Sequence, residues 1–137
     1  MLKLSEVAAG SLLVCEIFQL FEHTGIYIGD GLIVELQGTG LVRAISAARF
    51  LQGRSGNHLL VACNAQGRPL SSEAAASRAI AQIYSYQRYD LIRNNCHRFS
   101  VSCITGRAEP VTSFFDLKTE LSLFWRTDIQ WRPLSHQ

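Results

Sequence analysis

The stretch His23-Thr24-Gly25-Ile26-Tyr27-Ile28-Gly29-Asp30-Gly31-Leu32-Ile33-Val34-Glu35-Leu36 reads as a hairpin. Ile26, Tyr27 and Ile28, bounded by Gly25 and Gly29, predict one strand, with His23 just before it, and Leu32 to Leu36 predicts the returning partner. Asp30-Gly31 between them is a strong turn signal, because both residues tolerate the positive φ that a two-residue hairpin loop demands. Upstream, Ser11 to Gln19 is rich in Leu, Val, Ile and Phe and predicts another strand. Downstream, a stretch punctuated by Gly38, Gly40, Gly53 and Gly56 leads to a further strand over His58 to Asn64. The first half of the chain is therefore read as β.

The pattern changes at Ser71. Ser71 or Ser72 suits a helix N-cap and Glu73 its first turn. Ala76, Ala79, Ile80, Ile83 and Tyr84 recur at helical spacing, which predicts a helix to about Tyr86. Tyr89 to Ile92 reads as a short extended piece. A second helix is predicted from Cys96 to Thr105, closed by Gly106. A third runs from about Ser113 to Trp125, with Phe114, Leu117, Leu121 and Phe124 on one face, and Arg126 to Gln137 reads as a short, partly extended tail. Strands first and helices later predict an α+β fold, an antiparallel β-sheet packed against helices.

The 137 residues fit a single domain over 1–137. A hydrophobic content of 47% with 18% charged residues excludes disorder. A net charge of +2 gives no footprint for nucleic acid. No run approaches the ~18 apolar residues of a membrane span. Lys3 followed by an apolar stretch ending at Cys15 has the outline of a leader, but Ser5 and Glu6 interrupt it and Val14 stands where a small residue is expected. Residues 1–20 are read as part of the folded protein.

The cysteines are Cys15, Cys63, Cys96 and Cys103, with no Cys-x-x-Cys pair, so neither a zinc knuckle nor a thioredoxin-type site is expected. An even count admits two disulfides. The apolar neighbours of Cys15 and Cys63 favour buried free thiols and a reducing, cytoplasmic compartment. No cluster has metal-ligand spacing, and no cofactor is expected.

Cys96 stands apart because it follows Asn94-Asn95 and opens a predicted helix. Unpaired backbone N–H groups and the helix dipole there stabilise a thiolate. A buried structural cysteine is the plainer reading of a lone helical Cys, but two preceding asparagines suit a cap and not a core. A thiol nucleophile needs a base, and His23, at the entrance of the hairpin's first strand, is the candidate; as a plain strand-entrance residue it would sit in a turn or at the surface. His97 adjoins Cys96, and helix neighbours at i and i+1 point apart, which makes it a poor base. His58 has no partner suggested by spacing, and His136 lies in the tail. Glu35, on the returning strand, is the candidate to orient the imidazole, with Gln37 on the same face in reserve. A carboxylate between Val34 and Leu36 is either on the solvent face or paired.

These residues resemble a known family. The segment from His23 to Leu36 is similar to the histidine segment of the lecithin retinol acyltransferase-like proteins. Asn94-Asn95-Cys96-His97-Arg98-Phe99 resembles their Asn-Cys-Glu-His-Phe segment, and Tyr89 fits the pattern upstream. The resemblance spans about residues 10–106, leaving 107–137 as a C-terminal helix and tail. Histidine before cysteine is the circularly permuted order within the NlpC/P60 superfamily of papain-like thiol enzymes. The resemblance implies Cys96 as nucleophile, His23 as general base and Glu35 as the third residue. Two positions depart from it: Glu35 stands where animal members usually have a second histidine, and His97-Arg98 where Glu-His is common. A glutamate there is able to orient the imidazolium, or it signals a different substrate or a decayed site. Arg98 is either solvated or a contact for an anionic substrate group.

The activity implied is acyl transfer or hydrolysis through a thioester on an ester or amide, with the backbone N–H of Cys96 as an oxyanion donor. An acyl-lipid substrate is the first expectation. A peptidase or amidase of NlpC/P60 type is the rival among enzymes, and a non-catalytic binding or regulatory module the rival outside them. The stripe Phe114, Leu117, Leu121 and Phe124, with Trp125 and Trp131, reads as core packing or as a peripheral membrane contact.

Overall fold

The computed structural model describes residues 1–17, 21–52, 58–90 and 95–136, those at 17 and 21 by backbone alone. Seven strands form one sheet among these residues: β1 (Leu2–Lys3), β2 (Leu12–Ile17), β3 (Phe21–Gly29), β4 (Leu32–Leu36), β5 (Val42–Ser46), β6 (Leu59–Cys63) and β7 (Gln130–Ser135). Their order is β1-β7-β6-β2-β3-β4-β5. All neighbours are antiparallel except the short β1–β7 pair. Four α-helices accompany them: α1 (Ala47–Leu51), α2 (Glu73–Ala81), α3 (Cys96–Thr105) and α4 (Phe114–Trp125). The α+β reading holds.

Strand alternation splits the apolar residues between two cores. Leu12, Ile26, Val34 and Leu36 face α2, α3 and α4, packing with Ala75, Ala79, Phe99, Ile104, Leu117 and Leu121. Leu13, Cys15, Tyr27 and Ile33 face the other way, onto Phe50 of α1 and onto Leu4 and Val7 near the N-terminus. The turn between β3 and β4 has the chemistry expected of it: Asp30 and Gly31 have φ of 53° and 76°, and the register shifts between Tyr27 and Gly29.

Four expectations need correction. The glycine-punctuated stretch contains β5 and α1, the latter capped by Ser46, whose hydroxyl accepts from Arg49 N–H; Gly53 and Gly56 lie outside the described residues, as do residues 18–20 and 91–92 of the predicted extended pieces. The first predicted helix ends at Ala81, not Tyr86, because the chain turns back to bond β5: Tyr84 N–H donates to the Val42 carbonyl and Val42 N–H to that of Ser85. Ile80 and Tyr84 are consequently exposed, while Ile83 packs on the core. The predicted tail is β7, a strand inside the sheet. Its neighbour β1 pairs only at Leu134 and Ser135, so Pro133 forfeits no bond on that side. Finally, β3 begins at Phe21, which places His23 within the strand, opposite Cys15 of β2.

Candidate active site

Residues 23 and 24 of β3 point to opposite sides of the sheet, and each meets a different part of the site. His23 turns toward the Phe50 side, where its ring packs on the Phe50 ring with centroids 5.1 Å apart. The hairpin brings Glu35 to the same side, and His23 Nε2 lies 2.7 Å from Glu35 Oε1. Glu35 is fully buried. It is therefore paired, not solvated. Its second oxygen, Oε2, accepts from Arg43 Nε at 2.7 Å, across the β4–β5 register Glu35↔Arg43. Gln37 instead joins the β4–β5 loop, where its side chain accepts from the Thr39 hydroxyl.

Thr24 turns toward α3. Its hydroxyl lies 3.3 Å from the Cys96 carbonyl, 3.0 Å from Ser100 Oγ and 3.1 Å from His97 Nδ1. These bonds tie the first turn of α3 to the strand that carries His23. Asn95 caps that turn, its side-chain oxygen accepting from Arg98 N–H at 2.9 Å and its amide donating to the Thr112 carbonyl. Asn94 lies outside the described residues. Cys96 is thus the first residue of α3, where helix geometry leaves its N–H without an intrahelical acceptor.

Cys96 is buried, and its thiol interacts with His23. With Nε2 given to Glu35, Nδ1 is the imidazole nitrogen available to the sulfur. Burial alone would push the thiol up; hydrogen bonds and opposite charge from His23 and His97 outweigh it and hold the thiol well below its usual range. Burial likewise opposes charge on His23, but Cys96 and Glu35 lift the imidazole to about 9. Burial would raise Glu35 too, yet His23 and Arg43 hold it below the usual carboxylate range. The contrast with Cys103 is direct: buried as well, it is pushed up to about 12. A lowered thiol beside a raised imidazole that also bonds a carboxylate is the electrostatic pattern of nucleophilic thiol chemistry.

Sequence reasoning missed three contributors. His97 does reach the thiol, its Nδ1 3.7 Å from Sγ, although neighbouring helical residues diverge at Cβ. Thr24 carried no signal of its own. Arg43 sat in a strand that went unread, where the alternation of Val42 and Ala44 with Arg43 and Ile45 was available. Arg98 is part-buried, and its Nε donates to the Val111 carbonyl at 3.2 Å. Tyr89 packs against the helix-side core. His58 is exposed, and His136 lies apart, lining a cavity with Leu4, Tyr27 and Asp30. Among the described residues no group of three or more His, Cys, Asp or Glu is arranged to hold a metal ion.

The apolar stripe of α4 divides. Leu117 and Leu121 are in the core, Phe114 and Trp125 pack against it, and Phe124 is partly exposed. The most exposed apolar side chains of this helix are Phe115 and Leu123, outside the predicted stripe. No helix of the described residues is long and apolar enough to cross a membrane.

Comparison with known proteins adds one match. No curated protein matches the chain, and no solved structure does. The family model described as lecithin retinol acyltransferase matches residues 5–109, which include β2 to β5, His23, Glu35, Arg43 and the whole of α3. That match covers well over half of the 137 residues, and it spans both segments of the site. The chain belongs to the lecithin retinol acyltransferase family, whose membership suggests activity of the acyltransferase or hydrolase type.

Proposed function

We propose that the protein is a thiol acyl enzyme in which Cys96 is the nucleophile, His23 the general base and Glu35 the group that orients the imidazole. The observation that carries this reading is the placement of His23 between the Glu35 carboxylate and the Cys96 thiol at the start of α3. The Cys96 sulfur attacks an acyl carbonyl, and the Cys96 N–H donates to the developing oxyanion. As the carbon–oxygen bond of the ester breaks, the imidazolium gives its proton to the leaving alcohol, and a thioester remains. Water or an acceptor alcohol or amine, deprotonated by His23, then attacks the thioester and restores the thiolate and imidazolium.

Family membership favours an acyl-lipid substrate. The order of histidine before cysteine supports placement in the permuted NlpC/P60 superfamily. Four free cysteines support a reducing compartment. The test is to incubate the full chain with phosphatidylcholine vesicles, and separately with an aminoacyl-peptide amide, and to weigh the intact protein. The reading expects an added acyl mass on Cys96 with vesicles, absent in Cys96→Ala. Cleavage of the peptide amide alone would make the protein a peptidase. No adduct with either probe would favour a binding module.

A further inference from the structure

A glutamate in the orienting position brings an electrostatic requirement that a neutral histidine there would not. Glu35 is fully buried, and a buried carboxylate without compensation takes up a proton or destabilises the fold. Beside a Cys96 thiolate and a His23 imidazolium it would leave two negative groups against one positive. Arg43 closes that count. It lies directly across the β4–β5 ladder from Glu35, its side chain only one-quarter exposed, and its Nε takes Oε2 at the same 2.7 Å at which His23 takes Oε1.

Among the described residues the titratable and charged groups around this pair are few. On β3 there is His23, on β2 Cys15 opposite it, on β5 Arg43, and at the start of α3 Cys96 and His97. The nearby face of α1 contributes the Phe50 ring. Among these described groups Arg43 is the one whose positive charge does not depend on a titrating proton near neutral pH.

We propose that Arg43 is a positioning residue for the thiol chemistry. It fixes Glu35 as an ionised acceptor in one orientation, and through Glu35 it holds the His23 ring with Nδ1 toward Cys96. Glu35 and Arg43 act as one unit, a charged pair doing the work of the single uncharged residue that a histidine would supply. This rests on the assignment of Cys96 and His23 above.

The experiment measures iodoacetamide labelling of Cys96 against pH in the full chain, by peptide mass spectrometry, with urea midpoints as the folding control. Variants are His23→Ala, Arg43→Gln, Arg43→Lys, Glu35→Gln and the double variant Glu35→Gln/Arg43→Gln. Loss of Arg43 is expected to move the pH midpoint of Cys96 labelling up by about one unit, which slows labelling about tenfold at pH values below both midpoints. In the Glu35→Gln background the same loss is expected to change labelling by less than about twofold, since its route is gone. Arg43→Lys keeps the charge without the fixed fork, and an intermediate rate is expected; it also serves if Arg43→Gln fails to fold. Fast labelling that depends on His23 and ignores both Arg43 variants overturns this proposal alone. Equal effects in the two backgrounds also overturn it, because Arg43 would then act without Glu35. Slow labelling that ignores His23→Ala overturns the thiol assignment, and this proposal with it.

Discussion

His23 and Glu35 are twelve residues apart in the chain and 2.7 Å apart in space, joined by a turn whose two central residues both take positive φ. The contact is made on the side of the sheet opposite α2, α3 and α4, under the ring of Phe50. Cys96 arrives from the start of α3, which Thr24 ties to the same strand. The hairpin thus presents His23 and Glu35 together, and the helix presents the Cys96 thiol.

Glu35→Gln keeps the shape of the side chain and removes its charge. Turnover of an activated ester is expected to fall on the order of 10²-fold, the lower end of what a positioned acid–base group contributes. Steady-state kcat/KM at fixed pH checks this, with circular dichroism to show that the fold persists. Unchanged turnover would remove Glu35 from the site.

The pH dependence follows from three groups. His23 keeps its proton to about 9 in the folded chain, against the usual 6.5, so its share of stability is whole below 6.5 and gone above about 9. Cys96 runs the other way, being ionised in the fold where the unfolded thiol is protonated, so its share grows with pH. The two slopes offset each other between 6.5 and about 9, and stability is expected to be level there. Glu35, held low, loses its share as pH falls below the usual 4.5. Urea midpoints across this range test the pattern. In Cys96→Ser the His23 midpoint, followed by NMR titration, should fall from about 9 because the thiolate that helps lift it is gone, and an unchanged midpoint would contradict the pairing.

Gly25 sits two residues after His23 where β3 passes closely over its neighbours. A methyl group there would stand 2.7 Å from Ile33 Cγ2, 2.9 Å from the Val34 carbonyl oxygen and 3.1 Å from Phe50 Cε1. Gly25→Ala is expected to destabilise the fold by about 1–3 kcal/mol through overpacking. Because Phe50 is the ring against which His23 rests, Cys96 labelling should slow as well. Chemical denaturation and labelling of the same sample check both effects, and a neutral substitution would mean that the strand shifts freely.

Local signals explain what the sequence made legible. Asp30-Gly31 specified the hairpin, Asn95 and Gly106 bounded α3 at its N-cap and at a left-handed C-cap, and Ser113 with Asp116 formed the capping box of α4. Each of these is decided by a few adjacent residues. What stayed hidden depends on distant partners. Gln130–Ser135 carries Trp131, Arg132 and Pro133, a poor strand pattern in isolation, and becomes β7 because β6 offers it a ladder from Leu59 to Cys63. Tyr84 and Tyr86 leave the predicted helix to bond the edge of β5. The strand that carries Arg43 has a local pattern, but its ion pair with Glu35 depends on the register between two strands and has no local mark.

The central claim is that His23 makes Cys96 a thiolate. Its most direct test is the rate of iodoacetamide labelling at each of the four cysteines as a function of pH, in the wild type and in His23→Ala. The account predicts rapid labelling of Cys96 already at about pH 6, far below the ~8.5 of a free thiol, and a marked slowing when His23 is removed. A Cys96 profile like that of an ordinary accessible thiol, unchanged in His23→Ala, would contradict it.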